Sequence, residues 1–239
     1  LNSAPNSRFT IWTHRGRPHS EHALDSFHHA HASGINHFEI DIHLTSDGIV
    51  VLSHDATTNR VSGQEGEIEK LTWLELQNRP IDNKHSWVAL EDFLRTFPDS
   101  IISIDFKSRA VTGPGIAVLE KFPDSSIILG SFSHRRIKEL KNALPHFTFA
   151  LSPIEILKIK FGFFTRNVRK FPTFAMIPEK YFGIPVLTKH FLRRCERMGI
   201  PIHVWVVNDP LKAENLLSRG VSGFVTDNYP LLLDHFTER

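Results

Sequence analysis

At 239 residues the chain can bury a full core, and a composition of 41% hydrophobic and 23% charged residues excludes a disordered or fibrous protein. A formal net charge of +2 with the histidines neutral supplies no basic field, so nucleic acid is not an expected partner. No apolar run approaches the roughly 20 residues that span a bilayer, and the single cysteine, Cys195, excludes an intrachain disulfide, which fits a reducing, cytoplasmic setting.

The chain starts at Leu1 rather than Met, as expected if a leader or anchor has been removed. Strand-like runs then recur in order: FTIWTH, HFEIDIHL, IISIDFK, SIILGSF, FTFALS, FAMIPE, IPIHVWVV and VSGFVTD. Segments of helical character lie between them, among them EHALDSFHHAHASG, LEDFLRTFP, HRRIKELKNALP, TKHFLRRCERMG and PLKAENLLSRG, several closed by Gly or Pro. Eight such alternations predict an α/β fold, a TIM (β/α)8 barrel, with residues 1–239 forming one domain. Residues 57–87 exceed an ordinary strand-to-helix connection and read as a small insertion after the second strand, at the barrel mouth.

Nine of the fifteen histidines fall in residues 12–55, which also hold the chain's most telling strand. In HFEIDIHL, alternation puts Phe38, Ile40, Ile42 and Leu44 on one face and Glu39, Asp41 and His43 on the other. On a sandwich the charged face would be solvated. In a barrel it points inward, toward the end where functional groups collect.

The following Asp47-Gly48 predicts a two-residue type I′ hairpin that sets His54 opposite Asp41. IISIDFK repeats the pattern and turns Ser103, Asp105 and Lys107 inward. Three converging carboxylates repel one another unless a hard cation accepts their oxygens, so Glu39, Asp41 and Asp105 point to Mg²⁺ or Ca²⁺ more than to Zn²⁺, while the nearby histidines leave a transition metal open. His14 and Arg15 at the end of the first strand, with Lys107 and a cation, would bring proton transfer and positive charge to a phosphate.

The ordered motifs His14-Arg15-Gly16, Glu39-Ile40-Asp41 and Asp47-Gly48 through Val51 to His54-Asp55 resemble the glycerophosphodiester phosphodiesterase family. NRVSGQEGEIEKLTWLEL, VALEDFL, VWVVND and GVSGFVTDNYP extend the likeness over nearly the whole chain. The resemblance implies hydrolysis of a small-molecule glycerophosphodiester to glycerol 3-phosphate and an alcohol. It implies His14 and His54 as the acid/base pair and Glu39, Asp41 and Asp105 as ligands of a divalent cation. Arg15 and Lys107 would contact phosphate, and Trp205 would lie near the substrate. Two departures stand out. The family's PENT reads Ser20-Glu21-His22-Ala23, and Asp105 replaces a common Glu.

Other features carry plainer expectations. His28, His29 and His31 read as surface or packing residues of a helix, His19 and His22 lie nearer the mouth within reach of a substrate, and His203 faces inward with no assigned partner. Ser131 lacks a Gly-x-Ser-x-Gly elbow, and Cys195 reads as helix packing. EILKIKFGFFTRNVRKF interleaves Lys158, Lys160, Arg166, Arg169 and Lys170 with phenylalanines. The preferred reading is a connection whose phenylalanines enter the core. The same mixture is able to make weak contact with an anionic membrane surface. The alternatives to a soluble-diester enzyme are a lysophospholipase D acting on lysophospholipids and a catalytically silent phosphate-binding barrel.

Overall fold

The computed structural model describes residues 9–163 and 170–237. Eight parallel strands alternate with helices as the sequence predicts. The strands are β1 (Thr10–His14), β2 (His37–Leu44), β4 (Ile101–Phe106), β5 (Ile127–Gly130), β6 (Thr148–Ala150), β7 (Thr173–Ile177), β10 (Ile202–Trp205) and β11 (Gly223–Thr226). The sheet order β1-β11-β10-β7-β6-β5-β4-β2 is closed by pairing of β1 with β2, Thr13 beside Phe38 and His14 beside Glu39. A ninth strand, β3 (Val50–Leu52), folds back antiparallel on β2, and β8 (Lys180–Tyr181) with β9 (Ile184–Pro185) forms a separate hairpin. At Gly223 an added Cβ would lie 2.8 Å from the Thr10 carbonyl oxygen, so the close passage of β11 past β1 requires glycine.

Helices α1 (Leu24–Ala32), α4 (Leu90–Thr96), α5 (Thr112–Leu119), α6 (His134–Ala143), α7 (Pro153–Phe161), α8 (Lys189–Met198), α9 (Pro210–Ser218) and α10 (Tyr229–Thr237) surround the barrel. The outward residues Phe38, Ile40 and Ile42 of β2 pack with Phe27, Phe93 and Ile104 in one half of the layer between strands and helices. Val204, Phe191 and Leu216 belong to the other half, where Cys195 is buried with its thiol pushed up to about 12 by burial, an inert packing group. Residues 57–87 carry α2 (Asn59–Ser62), a 3₁₀ turn and α3 (Trp73–Gln77) over a small core of their own, with Ile68, Leu76, Ile81 and Trp87 buried against Val51.

The segment expected as a connection sending its phenylalanines into the core differs in the structure. The Ser152–Glu155 capping box and Pro153 at the first position start α7, and Gly162 ends it with φ +84°. Phe161 and Phe163 stay exposed and Phe171 is partly buried, while Phe164, Arg166 and Arg169 lie outside the described residues.

Inside the barrel Trp12 donates its indole N–H to His203 Nδ1 at 2.9 Å, and His37 packs edge-on against Trp12. Burial pushes His203 down to about 3 and His37 to about 4, so both remain neutral. An unfolded histidine takes its proton near pH ~6.5, so below that pH the unfolded chain binds more protons and stability falls with acidification. The expected slope approaches about 1.4 kcal/mol per pH unit for each such histidine. Urea midpoints measured downward from neutral pH check this, and a constant midpoint to about pH 4.5 would contradict it.

Candidate active site

His14 closes β1, and the backbone then turns sharply: Arg15 and Gly16 adopt left-handed conformations (φ 57° and 84°), and Arg17 N–H donates to the His14 carbonyl at 3.0 Å. The turn leaves the His14 ring facing the barrel mouth. Its Nδ1 is 2.7 Å from Asp227 Oδ1, at the end of neighbouring β11, and its Nε2 is 3.9 Å from Glu39 Oε2. Asp227 is fixed by Asn208, whose Oδ1 accepts the Asp227 N–H at 2.8 Å and whose amide donates to Oδ2 at 3.2 Å. The His14 hydrogen bond holds the Asp227 carboxyl below the usual range, so the carboxylate accepts from Nδ1–H, the tautomer that would turn the lone pair of a neutral ring to Nε2.

The parallel register of β2 and β4 sets Asp41 beside Asp105. Lys107 Nζ spans the two, 2.9 Å from Asp41 Oδ1 and 3.1 Å from Asp105 Oδ2. Arg15 Nε lies 2.9 Å from Asp41 Oδ2 without hydrogen-bond alignment, an electrostatic pair only. Burial would raise Asp41, yet Lys107 and Arg15 hold it below the ordinary carboxylate range. Glu39 is pushed well above that range by burial and by Asp41, and Asp105 is also raised by burial.

Among the described residues no three His, Cys, Asp or Glu side chains stand as a ready ligand set, and it is Lys107 that lies between two of the carboxylates. The chemistry of the group nonetheless fits a hard cation. Its donors are carboxylate oxygens, Glu39 Oε2 is buried without a hydrogen bond, and the charge that a cation would compensate is what drives Glu39 upward.

His54 reaches the same cavity by a route different from the expected one. The hairpin pairs Ile42 with Leu52, His43 with Val51 and Leu44 with Val50, one residue off the two-residue register, so Asp41 meets Ser53 instead of His54. The turn is a longer one: Thr45 N–H bonds the Ile49 carbonyl, Thr45 Oγ1 donates to Asp47 at 2.6 Å, and Gly48 takes φ +88°. His54 then projects from the loop after β3 with Nδ1 2.6 Å from Asp55 Oδ1. Burial would raise Asp55, but Arg60 and His54 hold it low. Both histidines thus have a carboxylate on Nδ1.

Sequence reasoning assigned no role to Asp227 or to Glu21 and Arg60. Glu21 accepts two hydrogen bonds from Arg60 (2.7 and 2.9 Å) and lies 3.0 Å from Arg17 and 3.4 Å from Arg15. Burial would raise Glu21, and the Arg60 hydrogen bonds with Arg15 and Arg17 hold it far below the usual range. It ties the inserted segment to the β1 loop and anchors Arg15. Replacing Glu21 with Ala is expected to cost about 2 kcal/mol, less than a fully buried pair because Arg17 and Arg60 keep water contact. A urea midpoint equal to that of the unaltered protein would contradict this.

His22 is buried rather than at the mouth: its Nε2 accepts the Asp41 N–H at 3.2 Å, and burial pushes it down to about 3. His28, His29 and His31 are exposed on α1, as expected. Ser131 lines the cavity, but its Oγ donates to the Phe106 carbonyl and accepts from Arg136, with no base beside it.

One cavity of about 320 Å³ opens at the C-terminal ends of the strands. His14, Arg15, Glu39, Asp41, His54, Asp105 and Lys107 form its charged floor. The opposite wall is apolar, with Trp205, Phe132, Leu157, Tyr181, Ile184 and Val186. Each residue singled out from sequence for the site is therefore brought to one place.

Comparison with known proteins identifies the family and the fold. Residues 14–230 match the glycerophosphoryl diester phosphodiesterase family. A probable glycerophosphodiester phosphodiesterase 2 of Mycobacterium tuberculosis is 26% identical over 220 residues, 89% of this chain and 83% of that protein. Human lysophospholipase D GDPD3 is 23% identical over 98% of this chain and 87% of its own length. The crystal structure of a glycerophosphodiester phosphodiesterase from Thermotoga maritima superposes with a TM-score of 0.78 at 25% identity, covering 96% of this chain and 99% of that one. With a match that begins at His14 and runs into the last helix, on a barrel of shared topology, the chain belongs to the glycerophosphoryl diester phosphodiesterase family.

Proposed function

We propose that the chain hydrolyses glycerophosphodiesters to glycerol 3-phosphate and an alcohol, with His14 and His54 moving the protons. The observation that carries the reading is the His14–Asp227 pair set against Glu39 at the mouth of the barrel. With Nδ1–H engaged by Asp227, His14 Nε2 takes the proton from the glycerol hydroxyl next to the phosphate. That hydroxyl attacks phosphorus, and His54, oriented by Asp55, protonates the departing alcohol. Water then opens the cyclic phosphate, with the proton transfers reversed. Arg15 and Lys107 bring positive charge to the phosphate oxygens.

Glu39, Asp41 and Asp105 would hold a divalent cation, Mg²⁺ or Ca²⁺. When bound, it supplies positive charge that polarises the phosphoryl group.

A second reading, lysophospholipase D activity, is favoured by the apolar wall of the cavity, which offers an acyl chain a surface beside the charged floor. Choline release from glycerophosphocholine and from lysophosphatidylcholine, each with added Mg²⁺ or Ca²⁺, separates the two. Faster release from the soluble diester supports the first reading, and faster release from the lysolipid supports the second. Release from neither overturns both.

A further inference from the structure

The apolar wall does not stop at the cavity. Along α7, Ile154, Leu157 and Phe161 are spaced three and four residues apart, so one stripe of the helix turns apolar groups to the outside, where all three are exposed. Phe163 follows directly after the helix end, 67% exposed. Beside α7 stands the β8–β9 hairpin, whose two turn residues, Phe182 and Gly183, both adopt left-handed conformations (φ 47° and 79°). The turn holds Phe182 at its tip, 89% exposed, with Tyr181 and Ile184 exposed on either side. Lys160 Nζ donates to the Pro185 carbonyl at 2.6 Å and ties hairpin to helix. Tyr181 stacks on Phe132, which meets the edge of Trp205 in the cavity. The apolar surface is thus continuous from the hairpin tip to the site.

An isolated two-stranded hairpin is marginal in water, and one presenting a phenylalanine at its tip gains nothing from solvent. The charges around it say what it meets. Lys158, Lys160 and Lys180 fringe the patch, and none is in an ion pair among the described residues. The nearby carboxylates are already taken, Glu155 by Lys141 and Glu179 by Lys212 and Arg219. Aromatic and aliphatic groups ringed by unpaired lysines match an anionic bilayer, acyl boundary and headgroup layer together. A second copy of the chain would instead set one lysine fringe against another.

We propose that this rim docks on an anionic lipid bilayer, with Phe161, Phe163 and Phe182 entering the boundary between headgroups and acyl chains and the cavity mouth turned to the membrane. The docking stands independently of the hydrolytic activity; only its use, delivery of a diester from the membrane surface, rests on the proposed function.

Sedimentation of the full chain with phosphatidylcholine vesicles, with and without phosphatidylserine, tests it. The protein is expected to pellet with the anionic vesicles. The combined variant F161S/F163S/F182S should lose at least about tenfold in vesicle affinity, and K158Q/K180Q should lose the preference for phosphatidylserine. Both variants should keep their thermal midpoint and their hydrolysis of soluble glycerophosphocholine. Failure of the unaltered protein to pellet, or undiminished pelleting of the phenylalanine variant, overturns the proposal. So does a concentration-dependent dimer that the phenylalanine variant abolishes in the absence of vesicle binding, which would assign the face to a second copy. Vesicle binding by a protein with no phosphodiesterase activity would uphold docking and remove the functional reading.

Discussion

Replacing His14 with Ala is expected to lower turnover of glycerophosphocholine by about 10²–10⁴-fold, the range for loss of a positioned proton-transfer group. The ring contributes one free nitrogen aimed at the cavity, and no other imidazole is placed to assume that position. His54 is held by its own carboxylate, Asp55, and His22 is buried and neutral. Asp227→Asn should lower the rate in the same direction with the fold intact, because an amide can offer its N–H to Nδ1 and turn the tautomer so that Nε2 carries the proton. His54→Ala should cost a comparable factor. An activated leaving group distinguishes the two histidines: with His54 as the acid and His14 as the base, as proposed, it should rescue the His54 variant far more than the His14 variant. Full activity in either variant removes that histidine from the mechanism.

Replacing Asp41 with Asn is expected to weaken divalent-cation binding by roughly 10²-fold, about 2.7 kcal/mol, and to lower turnover by orders of magnitude. Asp41 is buried between Lys107 and Arg15, so it already serves as the electrostatic hinge of the floor, and the neutral amide removes a donor oxygen at the centre of the carboxylate set. Calorimetric titration of Mg²⁺ and Ca²⁺ into unaltered and variant protein reads the binding directly, with circular dichroism as the control for folding. Unchanged affinity in the variant would reject the ligand assignment. Chelation of the unaltered protein should abolish turnover and leave the melting transition of the barrel in place.

Much of this arrangement is legible in the sequence because strand alternation is local. Glu39, Asp41, Asp105 and Lys107 can be assigned inward by counting in twos, and barrel strands in register then bring them together without further information. The eight strands are legible for the same reason. α5 is not: Gly113, Pro114 and Gly115 argue against a helix, yet an added Cβ at Gly115 would lie 2.6 Å from the Phe106 ring, so helix-to-strand packing demands glycine where propensity disfavours it.

The hairpin shows a different limit. Asp47-Gly48 serves two-residue and longer turns alike, and the Thr45–Asp47 side-chain bond decides between them, shifting the register by one and moving His54 off the strand. Asp227 and Glu21 fall within segments that carry the family likeness, GVSGFVTDNYP and Ser20-Glu21-His22-Ala23, but nothing local names their partners. Asp227 is 213 residues from His14, and Glu21 is 39 residues from Arg60, which lies within residues 57–87. Only closure of the barrel and docking of the insertion place them.

On the proposed mechanism this floor breaks the bond between phosphorus and the alcohol oxygen and keeps the phosphate on glycerol. Phosphorus NMR of glycerophosphocholine turned over in oxygen-isotope-labelled water, with a divalent cation present, tests it most directly. The expected spectrum shows glycerol 3-phosphate carrying one labelled oxygen on phosphorus and no phosphocholine, and with His14→Ala the glycerol 3-phosphate signal is lost. Phosphocholine with free glycerol, or unchanged product formation by His14→Ala, would contradict it.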